Sequence, residues 1–197
     1  KWRETVRRAL ELEPDSVTIY QMELPFNTVY SKDILGNHVE TPVADWPTKR
    51  AWVDYAFDQF AAAGYAQSSA YTMVRHPERV NFSYRDNLWR GSDLLATGIA
   101  SFGHISGVHY QNHAEWEQYC STLEGGELPL NRAMRISPRQ ALIREMILQL
   151  KKGFLNGEYF KSKYQTDIFA EWRSTWDEYV AEGYATRGQN RVELTRA

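Results

Sequence analysis

Residues 2–22, WRETVRRALELEPDSVTIYQM, decide the fold class. Residues 2–13 read as an amphipathic helix, with Trp2, Val6, Ala9 and Leu10 recurring on one face. Glu13-Pro14-Asp15 ends it, because proline disfavours the α conformation in the residue before it. Ser16–Met22 is then β-branched and mostly apolar, the texture of a buried strand. A helix followed by a buried strand is one αβ step of a parallel-sheet protein. Thr48–Ala63, with Trp52, Ala56, Phe57 and Phe60 on its inner face and Gly64 as C-cap, followed by a strand over Tyr65–Met73, repeats the step.

Outward from this core the texture changes. Residues 23–47 are a long aperiodic excursion punctuated by Pro25, Asn27, Gly36, Asn37, Pro42 and Pro47, and such loops are often functional. His76 to Trp89 is polar and irregular, and Ala96–Gly103 is rich in small residues that allow close backbone approach. A helix over 113–123 carries Trp116, Tyr119, Cys120 and Leu123. Beyond Ser137-Pro138, an N-cap with proline in the first turn, comes a helix striped by Leu142, Ile143, Met146, Ile147 and Leu150. A short helix over 157–164, a helix over 167–182 with Ile168, Phe169, Trp172, Trp176 and Val180 on one face and Thr166 or Asp167 as its cap, and a hairpin-like piece ending at Val192–Thr195 complete a winged-helix-like pattern.

The 197 residues suffice for one large or two small domains, with 43% hydrophobic and 24% charged residues. A net charge of −2 gives no electrostatic reason to expect nucleic acid or a membrane surface. No apolar run approaches the roughly 18 residues of a spanning helix. Cys120 is the one cysteine, which excludes an internal disulfide and a metal site of several thiolates. Together with the absence of an export signal, this points to the cytoplasm. Lys1 stands inside a helical pattern without an initiator Met, and Ala197 follows a strand directly, so the chain reads as a fragment or processed product.

No P-loop, GxGxxG, GxSxG or HExxH is present. The histidines at 38, 76, 104, 109 and 113 lack a suitably spaced acidic partner, and the reading for them is surface or hydrogen-bonded rather than metal-bound. Trp2, Trp52, Trp116, Trp172 and Trp176 fall on apolar helix stripes and read as core. Cys120 reads as buried and inert. Two segments resist a purely structural explanation. Tyr20-Gln21-Met22-Glu23 ends a strand, where parallel α/β folds collect ligands. Asn87-Leu88-Trp89-Arg90-Gly91-Ser92-Asp93-Leu94-Leu95-Ala96-Thr97-Gly98 joins a bidentate donor, a carboxylate and a glycine-rich stretch, with mutual pairing of Arg90 and Asp93 as the plain alternative.

In this order and separation the two segments resemble the radical S-adenosylmethionine (SAM) family of oxygen-independent coproporphyrinogen III oxidases. That family carries patterns like YQL…E and N-Y-W-R-G-G-D-Y-L-G-x-G. The segment Arg139–Leu150 with Gly153, and the ending Glu182-Gly183-Tyr184 through Val192-Glu193-Leu194-Thr195, resemble its C-terminal domain. The resemblance covers nearly the whole chain. It implies an α/β fold: the last strands and helices of a partial (β/α)6 barrel over 1–110, then a mostly helical, winged-helix-like domain over 111–197. It implies SAM and a [4Fe–4S] cluster in a longer protein, with the cluster cysteines in an N-terminal half missing here, a tetrapyrrole substrate, and no activity of this chain alone. By the resemblance, Tyr20, Gln21, Met22 and Glu23 line the SAM pocket. Gly98, Ile99, Ala100 and Phe102 approach SAM or substrate with backbone groups and the Phe102 ring. Arg90, with Asp93 beside it, contacts a propionate, since a guanidinium matches a carboxylate bidentately. The sequence departs from the family at Ala96, where glycine is frequent, and at Phe102, where haem-chaperone relatives carry histidine; His104 stands two residues away. Other relatives methylate, cyclopropanate or open the haem ring.

Overall fold

The computed structural model describes residues 1–23, 28–36 and 43–195. Pro25, Asn27, Asn37, His38 and Pro42 lie outside the described residues. The chain forms two compact units, residues 1–81 and 82–197. The division read from the sequence at 110/111 falls inside a strand of the second unit.

In the first unit, α1 (Trp2–Glu11) and β1 (Ser16–Thr18) form where the sequence places them, but the strand is short. α2 (Val29–Leu35) follows. In α3 (Trp46–Ala62), Asp45 caps the helix through the Thr48 amide at 2.9 Å. Val6 of α1 packs with Ile19, Ala56, Phe57, Phe60 and Met73 in one core. The expected single strand over Tyr65–Met73 is a hairpin, β2 (Ala66–Ser69) and β3 (Thr72–Val74), in a sheet ordered β1-β3-β2. Both pairings are antiparallel, which corrects the parallel αβ step expected from the helix–strand alternation. The physical reason is length: Ser69 to Thr72 reverses the chain within the run, so β3 returns between β1 and β2. Among the described residues every strand pair is antiparallel and no closed barrel forms.

The second unit opens on α4 (Ser83–Trp89), in a stretch expected to be irregular. A meander follows, β4 (Phe102–Ile105), β5 (Val108–Asn112) and, after α5 (Trp116–Glu124), β6 (Leu130–Arg135). Ser106 and Gly107, both with positive φ, make the two-residue turn between β4 and β5 that suits a twisted hairpin. α6 (Pro138–Leu150) starts at a capping box in which Ser137 and Gln140 satisfy each other's amides. β7 (Phe154–Asn156) and α7 (Gly157–Tyr164) come next. The helix expected over 167–182 is capped by Asp167 and breaks at Trp172 into α8 (Ile168–Glu171) and α9 (Arg173–Ala181). β8 (Ala185–Arg187) and β9 (Arg191–Leu194) close a sheet ordered β7-β9-β8. Leu142, Leu155, Phe160, Ile168, Phe169 and Trp176 lead its core.

The tryptophans divide. Trp176 is buried and donates its indole N–H to the Ile168 carbonyl at 3.0 Å. Trp52 and Trp116 are 47% and 63% exposed, which corrects their assignment to the core: α5 has no buried residue for a stripe to face. Cys120 is half-buried rather than buried.

Candidate functional site

Tyr20, Gln21 and Met22 line a cavity of about 410 Å³ in the first unit, with Trp2, Tyr30, Lys49 and Trp52. The last backbone bond of the strand is from the Ile19 amide to the Tyr71 carbonyl at 2.8 Å, and beyond it the segment is open to water: Tyr20 is 73% exposed, Met22 is 55% exposed and Glu23 is also exposed. Two bonds fix the cavity wall. The Lys49 ammonium donates to the Met22 carbonyl at 2.7 Å, and the Trp2 indole donates to the Trp52 carbonyl at 2.7 Å. The result is an open, aromatic-walled hollow with one cation at its rim.

In the second unit, the backbone of the small-residue loop is already engaged. The Ala96 and Gly98 amides donate to the Tyr110 and Tyr119 hydroxyls at 2.8 and 2.9 Å. The Ala100 amide donates to the His113 carbonyl at 2.8 Å. Asn112, 2% exposed, donates its side-chain amide to the Ala96 and Gly98 carbonyls, and Gln111 donates to the Ala100 carbonyl. What this loop presents outward is therefore side chains, Ile99 at 42% exposure and the Phe102 ring at 63%. Gly103 is required for this arrangement, since a Cβ there would sit 2.2 Å from the Tyr110 ring that carries the hydroxyl under Ala96.

Arg90 and Asp93 do not pair with each other. Asp93 accepts the Ser106 amide at 2.9 Å and so pins the β4–β5 turn. Arg90 ends α4 and lines a small cleft of about 100 Å³ with Asp86, Gln149, Lys152, Asn156 and Tyr159. Asp86 bonds Arg85 at 2.8 Å and Lys152 at 3.0 Å. Burial pushes its carboxyl up, but those two cations outweigh the burial and hold it below the usual carboxylate range. Arg85 stacks over Trp89, with the guanidinium 5.1 Å from the ring centre.

Sequence reasoning missed the centre of this region. Glu145 on α6 is 1% exposed. Its carboxylate accepts from Lys163 at 2.7 Å, Tyr164 at 2.6 Å, Gln149 at 3.0 Å and the Tyr159 hydroxyl. Lys163 also donates to the Arg90 carbonyl at 2.6 Å, and Tyr159 reaches that carbonyl at 3.3 Å. Gly91 makes room: its φ is +81°, and a Cβ would lie 2.6 Å from a Glu145 oxygen. Burial first, then the bond to Glu145, raises both phenols well above the ordinary tyrosine value, so both remain donors. The available signal was spacing, because Leu142, Glu145 and Gln149 share one face of α6 and put a charge inside an apolar stripe.

The histidines are distributed by the meander. His104 and His109 are cross-strand partners with rings 4.4 Å apart. His104 is 7% exposed and its Nδ1 has no hydrogen-bond partner among the described residues; nor has the buried Nδ1 of His113. Burial, followed by the Arg144 and His109 charges, lowers the His104 pKa, with Asp93 opposing. Among the described residues no group of three or more His, Cys, Asp or Glu could hold a metal ion. No described helix is long and apolar enough to cross a membrane.

The chain as a whole is similar to known proteins. No family model matches the chain. An oxygen-independent coproporphyrinogen III oxidase of Synechocystis is 24% identical over 98% of this chain and 45% of its own length. One of Pseudomonas aeruginosa is 19% identical over 97% of this chain and 44% of its own. The solved structure of Escherichia coli coproporphyrinogen III oxidase (HemN), described as a radical SAM enzyme, overlays with a TM-score of 0.75 at 17% identity. That overlay covers 98% of this chain and 47% of that one, and shows a shared fold. The resemblance read from the sequence is thus borne out: along nearly its whole length this chain is similar to oxygen-independent coproporphyrinogen III oxidases. It spans a little under half the length of the curated relatives it matches.

Proposed function

We propose that this chain is the substrate-side, C-terminal portion of a radical SAM protein acting on a tetrapyrrole. The reaction is the oxidative decarboxylation of coproporphyrinogen III to protoporphyrinogen IX. The observation that supports this most is the alignment with named oxidases along 98% of the chain. In this reading the first unit contributes the last strands of the partial barrel, and the helices and β8–β9 hairpin of the second form the winged-helix-like end.

The chain does not fit a [4Fe–4S] cluster, since Cys120 is its one cysteine. The aromatic-walled hollow beside Tyr20, Gln21, Met22 and Glu23 suits the flat heteroaromatic end of SAM, which would supply the hydrogen-abstracting radical in the whole protein. The residues of this chain then bind and orient. The exposed Ile99 and Phe102 side chains border the reacting partner, with Gly98 and Ala100 holding the loop that carries them. Arg90 takes a substrate propionate as a bidentate donor, and Asp93 fixes the turn that follows. The test is an anaerobic assay of the whole protein, reconstituted with iron and sulfide and given reductant, SAM and coproporphyrinogen III. Release of 5′-deoxyadenosine and CO₂ with formation of protoporphyrinogen supports the reading; SAM cleavage without porphyrinogen consumption removes the substrate.

A second reading, a haem-binding chaperone of the same family, draws on the unpartnered Nδ1 of His104. Its 7% exposure weighs against it, because a haem iron must reach that nitrogen. A Soret band lost on His104→Ala would favour it over the oxidase.

A further inference from the structure

We propose that Glu145 is a positioning residue that locks the Trp89-Arg90-Gly91 turn and so makes the cleft beside Arg90 a carboxylate-binding subsite. The inference rests on the tetrapyrrole reading above and deepens it, by saying what holds the propionate contact in place and where the carboxylate sits.

The two carboxylates of the region are both matched by cations. Asp86 is matched by Arg85 and Lys152, and Glu145 by Lys163. The Arg90 guanidinium takes no hydrogen bond or ion pair among the described residues, although it lines the cleft with Gln149, Lys152 and Asn156. An anion entering there meets a free fork of donors beside the Lys152 ammonium, which Asp86 holds at 3.0 Å. The charge left over is positive, so a carboxylate is the complementary ligand.

The backbone beneath that fork is unusually constrained. The Arg90 carbonyl receives Lys163 at 2.6 Å and Tyr159 at 3.3 Å, and both donors are held by Glu145. On the next residue, Gly91 takes a left-handed φ of +81° and lies against the same carboxylate. A guanidinium on a fixed backbone loses less freedom on binding than one on a mobile turn. The buried carboxylate with its four donors converges on the backbone position that carries the Arg90 guanidinium.

The experiment uses the whole protein, with coproporphyrin III and its uncharged tetramethyl ester as fluorescent probes. The unaltered protein binds the free acid at least tenfold more tightly than the ester. Arg90→Ala removes most of that preference. Glu145→Gln, which keeps shape but removes the charge, and Tyr159→Phe, a milder change should the first fail to fold, both reduce the preference several-fold without weakening ester binding. The Arg90→Ala/Glu145→Gln double variant discriminates no less than Arg90→Ala alone. If Glu145→Gln and Tyr159→Phe weaken acid and ester equally, Glu145 is only structural and the inference fails. If Arg90→Ala leaves the preference intact, the subsite fails while the tetrapyrrole reading stands. If the unaltered protein binds neither probe, both fall.

Discussion

The hollow beside Tyr20 and the network around Glu145 are opposite solutions to placing polar groups. Tyr20, Met22 and Trp52 surround the first with half or more of their surface in water or close to it, and Lys49 anchors one carbonyl. Glu145 sits in the second at 1% exposure with four side-chain donors. Loosely held side chains are available to a ligand and contribute little to stability. A buried carboxylate contributes strongly only while every partner stays, because removing one leaves the rest desolvated and unpaired. The residues that bind and the residues that hold the fold should therefore respond to different measurements.

Four substitutions or titrations can break that contrast. Glu145→Ala strands Lys163 and two phenols, and should cost about 3–5 kcal/mol in urea unfolding of the chain. A loss under about 1 kcal/mol would show that water replaces the carboxylate freely. Gly91→Ala forces a Cβ against Glu145 at a left-handed φ, and should cost about 1–3 kcal/mol; an unchanged midpoint would mean that the turn relaxes.

The pH dependence follows from His104. Its folded pKa lies below the ordinary 6.5, so the unfolded chain binds more protons. The stabilisation from keeping it neutral is present above about pH 6.5 and is lost as pH falls through the lower folded value. Unfolding followed from pH 7.5 to 5 should show a decline that is shallower in His104→Gln, and parallel curves would remove His104 as the cause. The smallest stability effect belongs to Tyr20→Ala, expected within about 0.5 kcal/mol of the unaltered chain. The same change should weaken SAM binding by the whole protein, measured by equilibrium dialysis, and unchanged binding would detach Tyr20 from that role.

What the sequence made legible follows from periodicity and capping. α3 and α6 have long apolar stripes and Asp45 and Ser137 caps, so they appear within two residues of where they were expected. The β4–β6 meander was invisible for the opposite reason. Every residue of Leu130–Arg135 is exposed, and His104 and His109 break the apolar alternation on the paired strands. α4 buries only Trp89 along its seven residues, too little for a stripe. The β2–β3 reversal hides in a continuous run whose turn, Ser69 to Thr72, has no glycine or proline. In the site, Arg90 and Gly91 stood out as a motif, but the reason for the glycine lay more than fifty residues away, in Glu145. Long-range complementarity of that kind leaves only a faint mark, a charge on an apolar face.

The coupling between Glu145 and Lys163 tests the buried network most directly. A double-mutant cycle with Glu145→Gln and Lys163→Met, read by urea unfolding, should give an interaction energy of about 1–3 kcal/mol. If the two changes add within about 0.5 kcal/mol, Glu145 and Lys163 act independently, and the network does not hold the Arg90 turn.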